Sequence, residues 1–128
     1  MITAGALLLA GCKQTDSIFD IDSTPITVGV QYSDLAIAAY GTNFYRFTAA
    51  ASATHTIWLT GLSSDMSWTL FTNPNVLNPN EIDYMDDHYG SEDEVGTTSF
   101  LNNGMTYYIA VDEWGYLAGM FDLRVACP

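Results

Sequence analysis

Seven carboxylates stand within a stretch of fourteen residues, Glu81, Asp83, Asp86, Asp87, Glu92, Asp93 and Glu94, from a total of fifteen acids in the chain. Like charges at this density repel one another, and a hard divalent cation offsets the repulsion; calcium takes about six to eight oxygen ligands in loose geometry. Asp83, Asp86, Asp87, Glu92, Asp93 and Glu94 are therefore the expected ligands of a calcium site. Their spacing is not that of an EF-hand loop, and a solvated acidic loop is the competing reading. Asp65 and the pair Asp112-Glu113 are second candidates, which turn capping explains equally well.

Catalysis has little to stand on. The only histidines are His55 and His88. His88 adjoins Asp87, but no Gly-x-Ser-x-Gly nucleophile elbow accompanies it. The chain also lacks a Gly-rich phosphate loop, a His-Glu-x-x-His helix and the Cys/His spacing of a zinc site. Paired acids could serve a glycosidase only across an enclosed cleft, which a sandwich of this size rarely forms. The expectation is a protein that is not an enzyme.

Aromatic side chains offer a different chemistry. Tyr84, Tyr89, Trp114 and Tyr116 lie in turn-rich regions beside the acids. Rings flanked by hydrogen-bonding groups can stack on sugars, or simply pack over the edge of a sheet. Trp58 is set to point away from Ile57 and Leu59, and an exposed ring on a strand marks a contact surface.

The elements that position these residues read as strands. Ile26, Val28, Val30 and Tyr32 recur at every second position, a two-residue period. This segment is expected to be a strand able to complete a neighbour's sheet. Asp34 to Tyr40 is Ala-rich and reads as a short helical turn or a covering loop. Alternation then returns in Phe44 to Thr48, Thr54 to Leu62, Met66 to Thr72, Val95 to Leu101, Met105 to Asp112 and Met120 to Ala126. Within these runs Tyr45/Phe47, Ile57/Leu59, Trp68/Leu70, Tyr107/Ile109/Val111 and Phe121/Leu123/Val125 each share a face and form the expected core. Ser63-Ser64-Asp65, Asn73-Pro74-Asn75, Asn78-Pro79-Asn80 and Asn102-Asn103-Gly104 supply turns. Six to eight short strands at this spacing predict an all-β, jelly-roll-like antiparallel sandwich, built as a single domain over residues 26–128.

Charge narrows the partners. Three basic residues against fifteen acids in 128 residues give a net charge of −12. Such a chain cannot neutralise a run of phosphates, so nucleic acid is excluded as a partner, and it lacks the polybasic attraction that anionic lipids require.

The ends carry addresses. Residues 1–12 are uncharged and too short to span a bilayer, which takes about 20 residues, and they read as the apolar part of an export signal. Leu9-Ala10-Gly11-Cys12 resembles a bacterial lipobox, although no basic residues precede it. Residues 13–25 form a polar spacer. The two cysteines, Cys12 and Cys127, are open to two readings: a bridge, within the chain or between subunits, or lipidation of Cys12 with Cys127 left to pair elsewhere.

Two blocks carry a family resemblance. Phe44-Tyr45-Arg46-Phe47 followed by Thr56-Ile57-Trp58-Leu59-Thr60-Gly61-Leu62-Ser63-Ser64-Asp65-Met66-Ser67-Trp68-Thr69-Leu70-Phe71 resembles the first half of bacterial pre-peptidase C-terminal domains. Leu101-Asn102-Asn103-Gly104-Met105-Thr106-Tyr107-Tyr108-Ile109-Ala110-Val111 followed by Gly119 to Val125 is similar to that family's closing strands. The resemblance implies a jelly-roll-like sandwich on exported proteins, associated with substrate binding, secretion or calcium.

Two functions follow as expectations. The first is a structural subunit of a cell-surface or extracellular filament, self-associating or joining other surface proteins by donor-strand addition through Ile26, Val28, Val30 and Tyr32, with Trp58, Trp114 and Tyr116 as further contact residues. The second is a calcium-stabilised module that binds glycans or proteins. In both the membrane is met only through a lipid on Cys12.

Overall fold

The computed structural model describes residues 22–75 and 80–128. The apolar segment 1–12 with Cys12, and the spacer as far as residue 21, lie outside the described residues.

Among the described residues nine strands form two sheets: β1 Thr24–Pro25, β2 Gln31–Ile37, β3 Thr42–Thr48, β4 Thr56–Thr60, β5 Met66–Phe71, β6 Glu81–Met85, β7 Glu94–Thr97, β8 Thr106–Glu113 and β9 Gly119–Ala126. One sheet runs β1-β3-β8-β5-β6 and the other β2-β9-β4-β7. All pairs are antiparallel except β1 with β3. The all-β sandwich expected from the two-residue period is the observed architecture.

The core is the set of side chains that alternation selects. Tyr45, Phe47, Trp68, Leu70, Tyr107, Ile109 and Val111 from one sheet meet Ile57, Leu59, Phe121, Leu123 and Val125 from the other, all buried. Tyr45 and Phe121 lock the two layers edge to face, with centroids 6.2 Å apart.

Three sequence expectations need correction. Ile26 to Tyr32 is not one strand, because Gly29 adopts φ +90°, a conformation that breaks an extended run. Val30 N–H closes a turn on the Thr27 carbonyl at 3.2 Å, and Gly29 N–H reaches the Val125 carbonyl at 2.7 Å. The segment thus crosses from one sheet to the other within its own sandwich. Ile26 is buried, Val28 and Tyr32 pack on the core, and only Val30 stands out. Second, Asp34 to Tyr40 holds most of β2 rather than a helical turn. A bulge between Tyr32 and Leu35 hides its period. Third, β6 lies inside the acidic stretch, where charge masked it; charged side chains are at home on an edge strand.

Register fixes which loops share an end. Thr42 faces Asp112 and Met66 faces Glu113 in the larger sheet. Ile37 faces Gly119 and Leu59 faces Glu94 in the smaller. The connections 38–41, 61–65, 86–93 and 114–118 therefore gather at one end of the sandwich, each passing from one sheet to the other.

Candidate functional site

At this loop end β8 finishes on a buried carboxylate. Glu113 is 2% exposed, and three donors explain why an acid is tolerated there. Its Oε1 accepts the Tyr40 backbone N–H at 2.7 Å; its Oε2 accepts Ser64 Oγ–H at 2.9 Å and the Gly115 N–H at 2.5 Å. One side chain thus ties three of the four loops together with charge-assisted bonds. Gly115 suits this clasp because a Cβ there would lie 3.0 Å from Glu113 Oε2 and 3.1 Å from Ser64 Cβ. Trp114 N–H adds a bond to the Asp65 carbonyl at 2.8 Å.

What the clasp holds is aromatic and exposed. Tyr40 is 59% and Tyr116 72% exposed, and their rings meet edge to face with centroids 4.7 Å apart. Both residues sit at positive φ, 57° and 69°. For bulky side chains that conformation costs on the order of 1–3 kcal/mol each, and such strain collects at functional sites. Trp114 is half-exposed and donates its indole N–H to Ser67 Oγ at 2.9 Å, covering the outward face of β5. Leu117 is also exposed.

The fourth loop has a clasp of its own. Glu94 is fully buried, accepting the N–H groups of Asp87 at 2.9 Å and His88 at 3.0 Å, while its carbonyl takes the Trp68 indole N–H at 3.1 Å. His88 Nδ1 lies 3.3 Å from the same carboxylate and Nε2 lies 4.0 Å from Glu92. The hydrogen bond to Glu94 holds the imidazole above its ordinary value, assisted by the charges of Glu94 and Glu92.

Asp65 follows Ser64 in the 61–65 loop, close enough to both clasps for Glu94 and Glu113 to act on its carboxyl. Its Oδ1 is buried without a hydrogen-bond partner. Burial raises its carboxyl, as do the charges of Asp86, Glu94 and Glu113, against an opposing bond from the Gly90 backbone. Eight of the fifteen acids occupy this end: Asp65, Asp86, Asp87, Glu92, Asp93, Glu94, Asp112 and Glu113. The described arginines lie elsewhere. Arg46 holds the Ser23 carbonyl beside β1, and Arg124 covers the Trp58 ring, with its Cζ 5.7 Å from the centroid.

The expected calcium ligands do not converge. Asp83 accepts Ser99 N–H at 2.8 Å and Ser99 Oγ–H at 3.1 Å. Asp86 accepts the Tyr84 hydroxyl at 3.0 Å, and Asp93 accepts Gly61 N–H at 3.3 Å. Glu94 serves its own loop, and Asp87 and Glu92 are exposed. Among the described residues no group of three His, Cys, Asp or Glu side chains is disposed to hold a metal ion.

The remaining candidates are dispersed. Trp58 stands on the outward face of the smaller sheet opposite Val95. Trp114 and Tyr116 are at the loop end, where Tyr40, unmarked in the sequence reading, joins them. The signal available for Tyr40 was the short Ala38-Ala39-Tyr40-Gly41 connection. His55 is fully buried and bonded to the backbone of Ala50 and Ala53, at the far end of β4 from the loops that hold His88. Cys127 is partly buried just past β9.

Solved structures share this architecture. The pre-peptidase C-terminal domain of a collagenase from Bacillus anthracis superposes with a TM-score of 0.59 at 18% identity, over 82% of this chain and 95% of that one. PliG from Aeromonas hydrophila, a periplasmic inhibitor of g-type lysozyme, does so with a TM-score of 0.56 at 18% identity, over 83% and 97%. At that identity the likeness shows the fold alone. No curated protein matches the sequence. The family model of the bacterial pre-peptidase C-terminal domain matches residues 41–113, which is more than half the chain and takes in β3 to β8. The chain belongs to the bacterial pre-peptidase C-terminal domain family.

Proposed function

We propose that this protein is an exported, non-catalytic binding module that meets its ligand with the loop end. The observation that carries the reading is the pair Tyr40 and Tyr116: two exposed rings in edge-to-face contact, each on a strained backbone, with buried Glu113 bonded to the N–H of Tyr40 and to that of Gly115 beside Tyr116. Strain of this kind survives only where the surroundings over-determine it, and exposed tyrosine and tryptophan supply contact area at low entropic cost. The absence of catalytic motifs in the sequence supports a binding role. So do the neighbours, one an accessory domain of a collagenase and the other an inhibitor of an enzyme. The apolar leader of residues 1–12 and the periplasmic site of the inhibitor support export.

A filament role has less in its favour. The segment proposed as a donor strand is used within its own sandwich. Three of the four described edge strands are also blunted against pairing: β1 is two residues ending in Pro25, β2 carries a bulge, and β6 carries Glu81 and Asp83.

The test compares wild type with the double variant Tyr40→Asn/Tyr116→Asn, since asparagine tolerates positive φ. Both are presented to chitin, to peptidoglycan, and to immobilised basic and acidic proteins. Retention of wild type by one ligand, and loss of that retention in the variant, is the expected outcome. Equal retention of both chains by every ligand, or retention of neither by any, contradicts it.

A further inference from the structure

We infer that the ligand of the loop end is a basic protein, whose lysine or arginine side chains are received on the Tyr40, Trp114 and Tyr116 rings. This deepens the binding reading and rests on it. The aromatic patch is set at a predominantly acidic end of the sandwich, where His88 is the one basic side chain among the described residues. Eight acids share that end, six of them besides the buried and bonded Glu94 and Glu113, and neither described arginine reaches it. Asp65 adds to the acidic field from within, its Oδ1 buried and without a hydrogen-bond partner.

Tyrosine and tryptophan faces attract guanidinium and ammonium groups, and the attraction grows as water is excluded. The chain already makes one such contact within itself, Arg124 over Trp58. An acidic rim steers a cationic protein toward the patch and rejects acidic ones, and buried Tyr and Trp anchors then carry most of the affinity. A polyanion or an anionic bilayer is repelled by the same field. A neutral glycan uses the rings but has no use for the eight acids, so the cationic protein accounts for more of what is present.

The experiment titrates the full-length chain with two cationic probes, an octa-arginine peptide and cytochrome c, and with a neutral one, chitohexaose, while amide chemical shifts are followed by NMR. Both cationic probes are expected to shift the amides of residues 38–41, 65 and 114–117 first, and to bind more weakly as salt is raised. Tyr40→Asn/Tyr116→Asn is expected to weaken them by about tenfold or more, and Asp65→Asn by less. Glu81→Gln, which removes an exposed acid at the opposite end of β6, is expected to leave binding as it was.

The inference is overturned if the double variant binds the cationic probes as wild type does, or if Glu81→Gln weakens them as much as Asp65→Asn. Binding of chitohexaose alone, abolished in the double variant, also overturns it but leaves the binding role of the loop end standing. Pole-to-pole self-association of the chain, detected by sedimentation and lost in the double variant, overturns it in favour of a second copy as the occupant. Failure of every probe to perturb the loop end overturns this inference and counts against the binding reading as well.

Discussion

The carboxylate of Glu113 accepts the backbone N–H of Tyr40 at 2.7 Å across 73 residues of sequence. Because its second oxygen serves Ser64 and Gly115, one buried side chain sets the relative positions of three loops. Replacing it by glutamine turns one acceptor into a donor among donors. Glu113→Gln is expected to cost about 1–3 kcal/mol, a fall in melting temperature of roughly 5–20 °C for a domain of this size. Thermal denaturation monitored by circular dichroism checks it, and an unchanged Tm would remove Glu113 from its structural role.

Asp65 presents the opposite case, a charge that the fold would be better without. Its carboxyl is raised by burial first and then by Asp86, Glu94 and Glu113. A folded-state value above the ordinary one means that the native state holds the proton more tightly. The cost is therefore absent below the usual carboxylate range and fully developed once pH exceeds the raised value. Asp65→Asn removes it and is expected to raise the melting temperature by a few degrees at neutral pH, with little gain in acid. A lower Tm at neutral pH would show that the unpaired oxygen is accommodated in some other way.

For His88 the sign runs in the same sense, from a cation. The hydrogen bond to Glu94, with the charges of Glu94 and Glu92, raises the imidazole above 6.5. The protonated ring thus stabilises the 86–93 loop fully below the unfolded value, and this contribution is lost as pH rises through the folded one. A proton NMR titration is expected to place the His88 midpoint above 6.5, and His88→Asn is expected to flatten the pH dependence of stability in that window. A midpoint at or below 6.5 would refute the Glu94 latch.

Gly96 occupies a close approach between the sheets. A Cβ added there would collide with Met85 Cε and stand 2.9 Å from Trp68 Cζ2. Met85 can yield, but the buried Trp68 ring, fixed by its indole bond to Glu94, cannot. Gly96→Ala is expected to cost about 1–3 kcal/mol through overpacking, measured by urea denaturation. A cost near zero would mean that β7 slides outward without penalty.

The core was legible in the sequence for a simple reason. Alternate side chains of a strand must face opposite ways, so Ile57/Leu59 and Phe121/Leu123/Val125 declared their burial by period alone. The loop end was not legible, because its order depends on contacts between residues far apart in the chain. In the sequence Glu113 reads only as a second candidate for a cation site or as a turn cap, whereas in the fold Tyr40, Ser64 and Gly115 donate to it. Glu94 was hidden among acids that do face water. Gly29 interrupted a run that otherwise read as a strand, since alternation records which residues are apolar and not whether the chain turns between them. Trp114 and Tyr116 were picked out by type; the strained backbone that presents Tyr116, and the partner ring of Tyr40, belong to tertiary structure.

The central claim is that the loop end spends stability on presenting Tyr40 and Tyr116 to a ligand. Melting and binding measured on the same preparation of Tyr116→Asn test it most directly, because asparagine relieves the positive φ while deleting the ring. The expected result is a melting temperature at or near that of wild type, together with affinity for the cationic probes reduced by about tenfold. A variant that melts well below wild type while binding undiminished would show that the ring serves the fold and not the ligand.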